Sequence, residues 1–227
     1  MRVAVVIPAL DEAASLPGVL AELVGVEVIV ADNGSSDGTA DVARAGGAVV
    51  VTEPRRGYGS AVQAGLRYLA ADPPDVVVIL DADGADDLSR LPDLIGPIER
   101  DEADLVLSDR SRGAEPGALT PAQRFGNRFA AWLIRRAVGH RYQDLGPLRA
   151  IRWSALVRLE MVDPTWGWNV EMQMKAITRG LRVIEVPVRY RARNAGRSKI
   201  SGTLRGSAKA GARILWAVRR YHEPARL

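Results

Sequence analysis

The chain has 227 residues, 47% of them hydrophobic and 26% charged, enough apolar side chain to bury a substantial core as one large α/β domain. It has no cysteine, which excludes disulfides and thiolate metal sites, and no apolar run approaches the roughly 18 to 20 residues that span a bilayer. The net charge of +4 is an arginine charge, since Lys occurs only at Lys175, Lys199 and Lys209, and it is unevenly spread: acids concentrate in the first half and bases after about residue 110.

The N-terminus enters a strand-like run at once, Val3 to Ile7, with neither a signal-peptide core nor a cleavage site, so a cytoplasmic protein is expected. Further strands are expected over Val26 to Ala31, Ala48 to Thr52, Val76 to Leu80 and Leu105 to Ser108. Helical stretches near 12–23, 39–45, 59–71 and 88–100 lie between them. This alternation predicts a parallel sheet flanked by helices. The five aliphatic residues Val76-Val77-Val78-Ile79-Leu80 do not alternate with polar ones, as in a strand covered on both faces.

After residue 110 the rhythm breaks. A Gly/Pro/Ala loop at 113–121 leads to a helix from Gln123 to Val138 that mixes Phe125, Phe129 and Trp132 with Arg124, Arg128, Arg135 and Arg136. A helix from Trp168 to Arg179, a strand from Val183 to Val188 and a basic amphipathic segment from Asn194 to Tyr221 follow. The 123–138 and 201–221 helices fit a lipid interface, or equally a pair whose apolar faces complete the core while their Arg residues are solvated. The expected organisation is a single domain over 1–227, with a nucleotide half at 1–110, an acceptor half at 111–193 and a basic loop and helix at 194–227.

The chemistry lies at the strand ends. Asp81-Ala82-Asp83 directly follows the buried run, and ligands of such sheets bind beyond the carboxyl ends of the strands. Two carboxylates one residue apart repel unless a cation lies between them, and the simplest occupant is a divalent metal carrying a phosphate. Asp11 and Glu12 follow the first strand and Asp32 ends the second, placing acceptors where a base or ribose could be read; each also reads simply as a cap or turn residue. Gly57-Tyr58-Gly59-Ser60-Ala61 precedes a helix and allows close backbone approach, although Gly-x-Gly alone is weak evidence.

Six segments in order carry a resemblance: Val-Ile-Pro-Ala-Leu-Asp-Glu at 6–12, Asp-Asn-Gly-Ser-Ser-Asp-Gly-Thr at 32–39, Gly-Tyr-Gly-Ser-Ala at 57–61, Asp-Ala-Asp-Gly at 81–84, Asp-Leu-Gly-Pro-Leu-Arg-Ala at 144–150 and Gly-Arg-Ser-Lys-Ile-Ser-Gly at 196–202. The chain resembles inverting GT-A glycosyltransferases of the family 2 type, the group that includes polyprenol-phosphate and dolichol-phosphate mannose and glucose synthases. That resemblance implies a GT-A, Rossmann-like, mixed but mainly parallel sheet with a C-terminal amphipathic helix. It implies transfer of a hexosyl group from a UDP- or GDP-sugar, with Mg²⁺ or Mn²⁺, to a polyprenyl phosphate. Pro8, Ala9, Asp11, Glu12 and Asp32 would line the nucleotide, and Asp81, Ala82 and Asp83 would hold ribose, diphosphate and metal. Arg110 would lie near the donor, and Arg193 and Lys199 on a loop closing over the diphosphate.

One position departs from the family pattern. Mannose synthases of this type carry Gln two residues after the second Asp, and here Ala85 stands there, which leaves Asp86 or Asp87 to supply a ligand directly or through water. Asp144 and Glu171 are the candidate general bases; Asp144 reads equally as a cap or as a partner for Arg149. A phosphate acceptor needs no strong base, whereas a sugar hydroxyl does. A lipid acceptor would require peripheral membrane contact or a separate membrane partner. A soluble hydroxyl acceptor is the alternative, and a basic membrane- or nucleic-acid-binding module with a decayed donor site is the non-enzymatic one. Joint retention of Asp81, Asp83, Arg110, Arg193 and Lys199 argues against that module, and no nucleic acid is expected. A phosphoaspartate nucleophile at Asp81 fits poorly because that pair belongs on a first strand. A Ca²⁺ loop fits poorly because its twelfth position is Pro92.

Overall fold

The protein is described by a computed structural model covering residues 1–192 and 204–221, with side chains described for 1–192 and 212–221. The elements in chain order are β1 (Val3–Ala9), α1 (Leu16–Ala21), β2 (Glu27–Asp32), α2 (Thr39–Ala45), β3 (Val49–Thr52), α3 (Tyr58–Leu69), β4 (Val76–Ile79) and a 3₁₀ turn (Leu88–Arg90). They continue with α4 (Leu91–Glu99), β5 (Leu105–Asp109), α5 (Pro121–Val138), β6 (Arg149–Arg152), α6 (Trp153–Leu159), α7 (Gly167–Thr178), β7 (Val183–Pro187) and α8 (Leu204–Arg220).

All seven strands form one sheet in the order β3-β2-β1-β4-β6-β5-β7. β1 pairs in parallel with β2 and β4, β2 with β3, and β5 with β7, whereas β6 runs antiparallel to both β4 and β5. The sheet is therefore mixed and mainly parallel. β6 and α6 carry no periodic signal in the sequence: β6 is four residues bounded by Arg149 and Arg152, with no apolar run to mark it.

The strand at 76–79 is covered on both faces, as its unbroken aliphatic run requires. Val77 and Ile79 pack with α3, α5, α7 and α8 through Val62, Ile134, Trp168, Met172 and Val218. Val76, Val78 and Leu80 face the opposite layer, built from α1 and α4 through Leu16, Val19, Leu94 and Ile98. Alternate residues of one strand thus feed two cores, and each fully buried aliphatic side chain contributes about 1.5–3 kcal/mol.

α5 starts at a capping box: the Thr120 hydroxyl accepts from the Gln123 amide at 3.2 Å, and the Gln123 side chain accepts from the Thr120 amide at 2.8 Å. It ends at Gly139 in the left-handed conformation. Of the two readings of the basic helices, core completion accounts for Ala130 and Ile134 of α5 and for Ala217 and Val218 of α8, with Tyr221 just beyond it. Phe125, Trp132, Leu215 and Trp216 stay exposed.

Candidate active site

The parallel register aligns the strand ends. Ala9 of β1 stands opposite Asp32 of β2, and Val6 of β1 opposite Ile79 of β4, so Pro8, Asp32 and Asp81 emerge on one edge of the sheet. A cavity of about 800 Å³ opens there. Six of the residues expected at a donor site line it: Pro8, Ala9, Glu12, Asp81, Ala82 and Asp83. Asn33, Arg56, Tyr58 and Trp166 join them, and α8 closes one wall with Arg213 and Trp216. Tyr58 lies inside the glycine motif and Arg56 directly before it, so both were within reach of a local reading. Trp166, Arg213 and Trp216 belong to no local motif and are brought in by the packing of α7 and α8.

Asp11 and Asp32 brace this cavity rather than line it. Asp11, at φ 49°, accepts from the Ser36 amide at 2.8 Å, while its own amide donates to the Ser35 hydroxyl at 2.9 Å. Buried Asp32 accepts from the Ser35 amide at 3.3 Å. Asp11 ties the 32–39 loop to the chain after β1, and Asp32 closes that loop on itself. Asn33 extends the brace: its Nδ2 donates to the carbonyls of Glu53 and Arg55, and its Oδ1 accepts from the Gly57 amide at 2.7 Å. Gly57 has φ 144°, and a Cβ there would collide with the Pro164 carbonyl. Only glycine permits that approach, which seats α3 against the 163–165 loop.

The two acids of the Asp81-Ala82-Asp83 motif have distinct settings. Asp83 is buried and its Oδ1 accepts from the Ala85 amide at 3.0 Å. Asp81 is less buried, and its charge acts on its neighbours: with burial the larger cause, it raises the pKa of the Tyr58 phenol, whose buried oxygen has no hydrogen-bond partner. Ala85 is fully buried beside Leu119 and Tyr190 and points no ligand at the site. Asp87 is committed to the Ser89 hydroxyl at 2.7 Å and faces Arg191 at 3.5 Å. Asp86 is buried with neither carboxylate oxygen hydrogen-bonded. Burial, followed by the charge of Asp81, pushes its pKa up to about 8.

Among the described residues no three His, Asp or Glu side chains converge as a ready-made metal cage. Two carboxylates on a cavity wall nonetheless fit Mg²⁺ or Mn²⁺. Mg²⁺ in particular is commonly held by one or two carboxylates with substrate phosphates and waters completing the shell.

Neither candidate base faces the cavity. Asp144 pairs with Arg110, not with Arg149: its oxygens accept from Arg110 Nε at 2.6 Å and Nη2 at 3.1 Å, from the Arg110 amide at 3.1 Å and from Asn127 Nδ2 at 2.6 Å. Arg110 is buried in this bidentate pair and stacks over Tyr190 at 4.7 Å. Neither Arg110 nor these partners are among the residues that line the cavity. Arg149 is fully buried and donates to the carbonyls of Pro147 and Gly146; burial lowers its pKa and the nearby Tyr58 and Asp81 oppose that. Glu171 is also fully buried, 2.7 Å from Lys175 Nζ, and accepts from the amides of Val162 and Asp163. As placed it is a structural ion pair that pins the 162–163 turn to α7. Arg193 and Lys199 lie outside the described residues.

The sequence model of the family described as Glycosyl transferase family 2 matches residues 4–160. An uncharacterized glycosyltransferase of Mycobacterium tuberculosis is 44% identical over 207 residues, covering 90% of this chain and 92% of the relative. The undecaprenyl-phosphate mannosyltransferase of Micrococcus luteus is 31% identical over 228 residues, 92% of this chain and 91% of that one. Among solved structures, glucosyl-3-phosphoglycerate synthase from Mycobacterium tuberculosis, in complex with Mn²⁺, UDP-glucose and phosphoglyceric acid, superposes with a TM-score of 0.74 at 28% identity, over 96% of this chain and 80% of that one. The acid-tipped strand ends thus sit on a GT-A scaffold, and the chain belongs to glycosyltransferase family 2.

Proposed function

We propose that this glycosyltransferase moves a hexosyl group, with inversion, from a UDP- or GDP-sugar to a polyprenyl phosphate. The observation that carries the donor half is the single cavity in which Pro8, Ala9 and Glu12 meet Asp81 and Asp83. The nucleoside lies along the ends of β1 and β2, and the diphosphate lies at the end of β4. Bound at Asp81 and Asp83, Mg²⁺ or Mn²⁺ would neutralise charge on the departing nucleoside diphosphate. A phosphate oxygen of the acceptor attacks the anomeric carbon, and the bond to the diphosphate breaks with its electron pair on the leaving oxygen.

The acceptor half is supported by the carboxylates. Asp144 is taken up by Arg110 and Asn127, and Glu171 by Lys175 and two amides, so neither is placed to deprotonate a hydroxyl. An anionic phosphate needs no such help. The Micrococcus relative, by name, uses undecaprenyl phosphate, which supports the same acceptor class. Among the described residues no helix is long and apolar enough to cross a membrane. Contact with a lipid acceptor in this reading is peripheral or through a partner.

A thermal-shift panel of UDP-, GDP-, dTDP- and CDP-sugars with Mg²⁺ or Mn²⁺ tests the donor. A ligand at 100 times its Kd stabilises the native state by about 2.7 kcal/mol. One nucleotide class should raise Tm and support sugar transfer to polyprenyl phosphate, and Asp83→Ala should abolish transfer at nearly wild-type Tm. No shift with any donor would sink the reading.

A further inference from the structure

The geometry points to Arg56 as the residue that reads the base of the donor, and to guanine as the base it selects. This rests on the donor reading above, which leaves UDP- and GDP-sugars open. Arg56 lines the main cavity and is exposed, so its guanidinium is open to a ligand. Among the described residues no carboxylate pairs with it. Its neighbours differ: Arg55 and Arg67 share Glu53, Arg213 is held by Asp163, and Arg110 by Asp144.

The chain on either side of Arg56 is clamped by one side chain. Asn33 Nδ2 donates to the Arg55 carbonyl at 2.8 Å, and Asn33 Oδ1 accepts from the Gly57 amide at 2.7 Å. The guanidinium lies against Gly34, where an added Cβ would stand 3.6 Å from Cζ, 3.7 Å from Nη2 and 3.8 Å from Nε. Asn33 and Gly34 directly follow β2, so this charge sits at the β2 end of the sheet edge. The order β2-β1-β4 puts it two strand spacings, about 10 Å, from the end of β4, where Asp81 and Asp83 face the diphosphate. With the nucleoside along β1 and β2, the part of the donor that reaches Arg56 is the base.

The chemistry of the guanidinium chooses between the two bases. It carries five N–H donors in a fixed fork and no acceptor, so it matches two acceptors side by side. Guanine presents such an edge in N7 and O6. In uracil the two carbonyl oxygens are separated by the N3–H donor, so only one of them meets the fork at a time. A bidentate contact therefore favours guanine.

Titration calorimetry of the full chain with Mn²⁺ tests this with GDP, UDP and 7-deaza-GDP, in which a carbon replaces N7. The wild type should bind GDP about tenfold more tightly than either of the others. Arg56→Met should weaken GDP about tenfold and erase the difference between GDP and 7-deaza-GDP. Arg56→Lys keeps the charge without the fork and should behave like Arg56→Met. Both variants should melt with the wild type, since Arg56 holds no carboxylate of the protein. If Arg56→Met weakens all three ligands equally and Arg56→Lys restores them, the side chain serves the diphosphate by charge and the assignment falls. Tighter binding of UDP than of GDP by the wild type, or a 7-deaza penalty that survives in Arg56→Met, also overturns it. Each of these results leaves the donor site standing. If no nucleoside diphosphate binds, the donor reading falls as well.

Discussion

Asp83 and Asp86 stand three positions apart and differ in setting. Asp83 lines the donor cavity, whereas Asp86 is buried behind it with no hydrogen bond to either oxygen. Burial is the larger cause of its raised pKa, about 8, and the charges of Asp81 and Asp83 add to it while Arg110 opposes. In the unfolded chain the same carboxyl titrates near 3.9. Between about pH 4 and pH 8 the folded protein therefore keeps a proton that the unfolded chain has released. Stability from this group is complete below pH 4 and is lost as pH rises towards 8. Asp86→Asn cannot ionise and removes that slope. In metal-free buffer its Tm should equal the wild type's near pH 4 and exceed it by about 4 °C or more at pH 8, since 1 kcal/mol shifts a domain of this size by about 2–4 °C. A constant difference across that range would show that Asp86 is not the group titrating.

At the scale of elements, one buried side chain, Asp163, gathers the polar contacts between the described part of α8 and the 163–165 loop. Asp163 accepts from the Thr165 amide at 2.7 Å, the Thr165 hydroxyl at 2.9 Å, Arg213 at 2.9 Å and the Tyr221 hydroxyl at 3.2 Å. Ala217 and Val218 bury the adjoining face of the helix. Asp163→Ala would strand Arg213 and Tyr221 and cost about 2–4 kcal/mol, less than the loss of a fully enclosed ion pair because Arg213 keeps 29% of its side chain exposed. The urea midpoint should fall accordingly, and native-state proteolysis should cut within α8; an unchanged midpoint would mean that the helix is held elsewhere. This fastening was not legible in the sequence, because Arg213 and Asp163 are 50 residues apart and neither belongs to a local pattern. The strand ends were legible for the opposite reason: an aliphatic run followed at once by acids is a local signal, and Asp81, Asp83 and Glu12 line the cavity as that signal places them. β6 was missed because its middle position in the sheet relies on a buried arginine, Arg149, satisfied by carbonyls of the preceding turn. The partner of Asp144 was not legible as Arg149 or a cap because it is Arg110, 34 residues away at the end of β5.

For the whole molecule, α5 and α8 each carry exposed large apolar side chains. Phe125 is 72% and Trp132 55% exposed, with Phe129 stacked between them at 6.1 Å from each, and Leu215 and Trp216 are exposed on α8. Arg124, Arg128, Arg135, Arg136, Arg219 and Arg220 are exposed on the same two helices. Aromatic residues interspersed with arginines on amphipathic helices fit an anionic lipid surface. Trp216 also lines the donor cavity, so a headgroup-level phosphate would meet the chamber while its isoprenoid tail stays in lipid. Co-sedimentation with phosphatidylglycerol-containing vesicles should therefore be strong at low salt and weaken as salt is raised. Phe125→Asp with Trp132→Asp should reduce vesicle binding by about 10²-fold, the worth of two aromatic anchors at roughly 1.5 kcal/mol each. The donor-induced rise in Tm should persist, and transfer should fall with long-chain polyprenyl phosphate far more than with a short, water-soluble analogue. Equal loss on both acceptors would place the two aromatics in the reaction chamber instead of on the membrane.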